Sequence, residues 1–184
     1  MEEEKAKRTQ ILATDPARRK HLTEVLLKYL EDKTSFAEMK GIPREDLFRL
    51  AEAGYTKFKH GRLDEAHQIF KALILLDHRN AYFHAVMGAI HQKQNHPIEA
   101  IMEYSQALKL NKKETSAYVN RGEVYLRHKN FKKAAEDFRN VILMDPQGRN
   151  LWSNRARSLV IALKRSMEAE QLRKKRGRTA TVRN

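Results

Sequence analysis

Residues 115–146 read TSAYVNRGEVYLRHKNFKKAAEDFRNVILMDP, and this stretch decides the fold. It carries a small residue, Gly122, then Ala134 twelve positions on and the ring of Phe138 four after that. Tyr118 and Tyr125 flank the glycine, and Pro146 closes the unit because proline cannot continue a helical hydrogen-bond ladder. Stepping back 34 residues finds Gly88, Ala100 and Tyr104, and a second such step finds Gly54, Ala66 and Phe70. A fixed period of this length describes stacked helix-turn-helix units, each too small to bury its apolar side without a neighbour.

The period and its small-small-ring pattern are those of tetratricopeptide repeats. The expected fold is all-α: a right-handed superhelix of three tetratricopeptide helix hairpins, with an N-terminal amphipathic helix and a C-terminal capping helix. Repeats fall at 47–80, 81–114 and 115–148 without insertions, and helices at 45–59, 63–76, 80–93, 97–110, 114–127 and 131–144. Position 8 of each repeat is the glycine that lets helix A approach helix B, and position 20 is the alanine that receives it. Position 24 supplies a core ring (Phe70, Tyr104, Phe138), and position 27 supplies Leu73, Ala107 or Val141 to pack toward the next repeat.

Outside the array, residues 1–44 divide into a mobile leader of about twelve residues and an amphipathic helix. Asp15-Pro16 offers an N-cap and a first helical position, and Leu22, Val25, Leu26, Tyr29 and Leu30 make a stripe at helical spacing. That stripe either packs on the first repeat or pairs with a second copy of the chain as a homodimer. A short helical turn, closed by Gly41 and Pro43, leads into the array. Residues 149–184 hold a capping helix, from Asn150 to about Lys174, and a basic tail, with Trp152, Ala156 and Leu159 at positions 4, 8 and 11 of an incomplete further repeat.

The chain of 184 residues has no cysteine, which excludes disulfides, thiolate catalysis and cysteine-ligated zinc. It has no apolar run near the ~20 residues that span a bilayer. The net charge of +14 is concentrated at the end, where the last 21 residues carry +6. Such a block is ordinarily a solvated helix end; its sharper alternative is nucleic acid or an anionic membrane surface, a reading weakened by the lack of aromatic residues in the tail for base stacking. No catalytic, cofactor-binding or metal site is expected. His84 and His91 lie two turns apart without a carboxylate ligand set, and the seven glycines form no phosphate-binding loop.

From Thr34 to about Ala107 the chain resembles a narrower family. The residues that carry the likeness are Gly41-Ile42-Pro43, then Gly61-Arg62-Leu63-Asp64-Glu65-Ala66, then Phe70-Lys71-Ala72-Leu73-Ile74-Leu75-Leu76-Asp77-His78, followed by Tyr82-Phe83, Met87-Gly88-Ala89 and Gln92. They resemble the class II chaperones of bacterial type III secretion, which hold hydrophobic translocator proteins before export. The resemblance implies a cytoplasmic bacterial protein, no enzyme, whose partner is a hydrophobic translocator, or another protein, offering an extended segment with spaced proline and leucine. The alternatives are a general tetratricopeptide adaptor and a basic scaffold for nucleic acid or acidic partners. Ala51, Tyr55, Val86, Ser116 and Asn120 stand where a co-chaperone carboxylate clamp resembling that family's would need lysine, arginine and asparagine, so a clamp of that type is not expected in this frame.

Positions 2, 5, 9 and 12 of each A helix share one face and are expected to line the concave side. They are Phe48, Ala51, Tyr55 and Phe58, then Tyr82, Ala85, Ala89 and Gln92, then Ser116, Val119, Glu123 and Leu126. Rings and alanines in this arrangement suit an extended apolar peptide, with a few polar anchors to fix it. Position 13 adds a basic column of Lys59, Lys93 and Arg127 beside the groove.

Overall fold

A computed structural model describes residues 16–181, so the leader expected at the start of the chain lies outside the described residues. The chain folds into helices α1 (Pro16–Leu30), α2 (Phe36–Lys40), α3 (Arg44–Lys59), α4 (Leu63–Leu76), α5 (Ala81–Lys93), α6 (Pro97–Leu110), α7 (Thr115–Arg127), α8 (Phe131–Met144) and α9 (Leu151–Thr181). Helices α3 to α8 pair in sequence as three tetratricopeptide hairpins. Their ends fall within one residue of those expected from the periodicity. Helix α9 runs on to Thr181, past the end expected near Lys174.

Local chemistry sets the helix ends. Ser35 and Glu38 form a capping box on α2, and Gly41 ends that helix in the left-handed conformation at φ 66°. Asn80 caps α5 by accepting from the Tyr82 N–H, and Asn130 caps α8 by accepting from that of Lys133. Between the A and B helices the chain turns through a left-handed residue at the same repeat position each time: Gly61 (φ 75°), Asn95 (φ 61°) and Lys129 (φ 59°). Glycine and asparagine adopt this conformation readily, whereas Lys129 carries its Cβ strain.

The core is built between neighbours. Leu47, Ala51, Phe70 and Leu73 of the first hairpin pack with Phe83, Val86, Met87 and Ile90 of α5. Tyr104 and Ala107 of α6 cluster with Ala85 on one side and Ala117 and Val124 of α7 on the other, and Phe138 and Val141 of α8 cluster with Val119 of α7 and Ala156 and Leu163 of α9. Every hairpin thus leans on the A helix that follows it. Helix α9 supplies that A helix to the third.

The glycines allow a contact different from the one expected. A Cβ on Gly88 would lie 2.7 Å from Tyr104 Cδ1, and one on Gly122 would lie 2.5 Å from Phe138 Cε1. The nearest neighbour of Gly88 and of Gly122 is thus the position-24 ring of helix B, and at Gly54 Ile69 (2.7 Å) stands beside Phe70 (2.9 Å) in that place. The alanine is itself fully buried in all three repeats.

Among the described residues three ion pairs join A to B helices: Lys57 with Glu65 at the surface of the first hairpin (3.1 Å), and two less exposed pairs in the second and third. His84 is bonded at Nδ1 to Glu103 Oε2 (2.7 Å) and at Nε2 to the His78 carbonyl (2.9 Å). Burial works against its charge, but the Glu103 hydrogen bond and the His78 carbonyl outweigh it and hold the imidazole above its ordinary value. In the third hairpin Arg121 donates to both oxygens of Asp137 (2.9 and 2.7 Å) and to Ser105 Oγ (2.8 Å), with the rings of Tyr118 and Tyr125 on its guanidinium.

Helix α1 meets the array through its C-terminal end. The Tyr29 ring lies edge-on to His78 at 5.8 Å, and Asp32 Oδ1 is 2.6 Å from His78 Nε2. Of the stripe, Tyr29 packs on the first repeat at His78, while Leu22, Leu26 and Leu30 are exposed, as is Leu27 beside them. Among the described residues no helix is long and apolar enough to cross a membrane.

Candidate functional site

The A helices α3, α5 and α7, with the start of α9, border a recess of about 740 Å³. Helix α3 contributes Tyr55 and Phe58. Helix α5 contributes Tyr82, Ala85, Val86, Ala89, Gln92 and Lys93, followed by Asn95 of the next turn. Helix α7 contributes Ser116, Asn120, Glu123 and Arg127, and α9 contributes Trp152 and Arg155. A second recess of about 500 Å³ adjoins at Tyr82 and is lined by Phe48, Leu47, Arg44, Arg79 and Glu114 among others.

The floor follows from the repeat. Ala85 and Ala89 lie one turn apart on α5, and their short side chains leave depth that larger residues would fill. Rings stand on the α3 side, where Tyr55 and Phe58 pack at 5.8 Å between centroids. Tyr55 (39%) and Tyr82 (37%) are partly open to solvent, the state of side chains that still have apolar surface to bury. Burial, with Tyr55 and Glu52 nearby, raises the Tyr82 phenol above its ordinary value, so it stands as a neutral hydroxyl. The Tyr104 hydroxyl donates to Gln92 Oε1 (2.7 Å) from beneath, fixing the Gln92 amide.

Of the residues expected to line the concave face, Tyr55, Phe58, Tyr82, Ala85, Ala89, Gln92, Ser116 and Glu123 border the larger recess, together with Lys93 and Arg127. Phe48 borders the smaller one. Lys59 stands over the Tyr55 ring with its Nζ 5.5 Å from the centroid. Three expectations need correction. Ala51 is 1% exposed because α5 covers it with Phe83, Val86 and Met87. Val119 is fully buried and Leu126 packs against the same cluster, because α9 lays Ala156 and Leu163 over that side of α7. The open face of α7 is turned by about one residue, to Asn120 and Arg127.

Sequence reasoning passed over Trp152 and Arg155. Trp152 was legible as position 4 of a further repeat, but its place on the groove depends on α9 docking as a fourth A helix. Arg155 is held there by Glu123, with contacts of 2.8 Å from Nε and 2.6 Å from the terminal nitrogen, and its guanidinium stacks on Trp152 at 5.6 Å.

The tetratricopeptide repeat family model matches residues 115–147. The low calcium response locus protein H of Yersinia pseudotuberculosis is 26% identical over 145 residues, covering 77% of this chain and 86% of that protein. The human tetratricopeptide repeat protein 6 is 35% identical over 69 residues, 38% of this chain, and this chain spans 13% of that longer relative. A type III secretion complex from Aeromonas hydrophila has a similar structure, with a TM-score of 0.71, 25% identity and coverage of 80% of this chain and 98% of that chain. PcrH, solved in complex with the chaperone-binding region of PopD, gives a TM-score of 0.62 at 25% identity, covering 67% of this chain and 95% of that chain. In repeat register, in fold and in a likeness that runs along most of its length, the chain is similar to the LcrH/SycD-like tetratricopeptide chaperones of type III secretion translocators.

Proposed function

We propose that this chain is a cytoplasmic chaperone that takes an extended apolar segment of a translocator protein into its concave groove and so keeps that protein soluble and competent for export. The observation that carries this reading is the larger recess, with a floor of alanines, half-open rings on one wall and Trp152 on the other. An extended segment suits it because the recess crosses three successive A helices and reaches the capping helix. Leucine and proline fit a floor without bulk, and Gln92, Asn120 and Ser116 can bond a peptide backbone. PcrH, with its bound PopD region, supports the same use of the fold here. The work is binding alone, since masking an apolar segment removes it from water and from other chains.

Co-purification with native partners at low and at ~0.5 M salt tests the proposal. An apolar client should survive the salt wash, because burial of apolar surface is not screened. Changing Tyr55 and Phe58 to alanine together should release it, each truncation of a central ring weakening binding by roughly tenfold or more. Recovery of nucleic acid alone, unchanged by the two substitutions, would contradict the proposal.

A further inference from the structure

The larger recess has an apolar floor and a charged rim. Lys59, Lys93 and Arg127 recur at intervals of 34 residues, each in the last turn of its A helix. All three are exposed, and among the described residues none of them forms an ion pair. Lys59 is instead held over the Tyr55 ring, at the edge of the groove. Among the described residues the carboxylate bordering the recess is Glu123, which Arg155 already engages at 2.6 Å. Among the described residues the larger recess therefore has unmatched positive charge and no free carboxylate on its border to match it.

Gln92 adds to this bias. Tyr104 is fully buried, and burial pushes its phenol well above the ordinary value, so its hydroxyl keeps its proton and donates it to Gln92 Oε1. With one lone pair of its oxygen engaged from below, Gln92 keeps both N–H donors of its amide and a single remaining acceptor site for an occupant of the recess. A backbone carbonyl or a carboxylate satisfies such donors, and a cationic or donor-rich segment does not.

We infer that the segment held in this groove is acidic along one edge, its apolar side chains entering the floor while its carboxylates face Lys59, Lys93 and Arg127. This rests on the groove binding an extended apolar segment, as proposed above. Helix C-termini favour a cation in their last turn in any case, which accounts for the sign of each residue singly. It does not account for two cations on the border of one recess and a third over its Tyr55 ring, all without an ion pair among the described residues. Solvent-exposed pairs are individually weak, so the rim acts mainly by selecting among apolar segments and by speeding their capture.

The test uses two fluorescein-labelled peptides that share their leucine and proline positions and differ in having Glu or Gln between them. By anisotropy at low salt, the Glu peptide is expected to bind on the order of tenfold more tightly. Lys93→Gln with Arg127→Gln should erase most of that difference, and Lys93→Glu with Arg127→Glu should reverse it. Lys71→Glu with Arg139→Glu changes the net charge equally on the B helices, outside the recess, and should leave the preference in place. Equal affinity for the two peptides, or equal effects of the rim and B-helix variants, overturns the acidic edge and leaves the groove standing. Binding of neither peptide overturns both.

Discussion

Replacing Asp137 by alanine is expected to destabilise the protein by about 3–5 kcal/mol, read as a shift of the urea midpoint at unchanged slope. The Asp137 side chain is 4% exposed and that of Arg121 18%, so removing the carboxylate strands a guanidinium that water reaches poorly. Burial disfavours the charge of Arg121, but the Asp137 hydrogen bonds outweigh burial and hold it above its ordinary value. Without that partner the residue still stays charged, because a guanidinium is not deprotonated in a protein. Ser105 and the two tyrosine rings remain, but none of them carries the matching charge. Replacing both partners, Arg121→Met with Asp137→Leu, should recover most of the loss, since an apolar pair of similar volume need not be paired or solvated. A loss below about 1 kcal/mol for Asp137→Ala would mean that the pair is solvated like a surface bridge.

Truncating Phe138 to alanine is expected to cost a similar amount, about 3–5 kcal/mol, because the ring is fully buried between α8, α7 and α9. Its contact with Gly122 supplies a sharper test. Glycine to alanine inside a helix ordinarily stabilises by about 1 kcal/mol. Here the new Cβ would sit 2.5 Å from Phe138 Cε1, so Gly122→Ala should instead destabilise the protein by about 1–3 kcal/mol. In a chain already carrying Phe138→Ala the same change should become neutral or favourable. That reversal of sign, measured by denaturation of the two single variants and the double, distinguishes a close helix approach from an ordinary helix glycine.

What the sequence made legible follows from how the fold is built. Gly88, Tyr104, Gly122 and Phe138 recur with the period, so their place in the hairpin core could be read from spacing, whereas the meeting of ring with glycine could not, since spacing pointed to the position-20 alanine. Val119 and Leu126 could not, because the helical face that they share is divided by α9, and whether α9 docks there depends on packing far along the chain. Ala51 was misplaced for the same reason, since α5 lies over it. The carboxylates of the two less exposed ion pairs, Glu103 and Asp137, occupy position 23 in the second and third repeats, where the first carries Ile69. No periodic rule marks that position as polar. The pairing of Glu103 with His84 and of Asp137 with Arg121 emerges only when the two helices of a hairpin are laid together.

Trp152 is the single tryptophan of the chain and borders the proposed groove, so its emission reports directly on occupancy. The decisive measurement is its fluorescence during titration with a peptide of spaced leucine and proline residues, beside the same titration of Ala89→Arg, whose long side chain would fill the floor. A saturable blue shift that tracks binding and disappears in Ala89→Arg is the predicted result. Binding seen by anisotropy with no change in Trp152 emission, and undiminished by Ala89→Arg, would contradict the groove as the site.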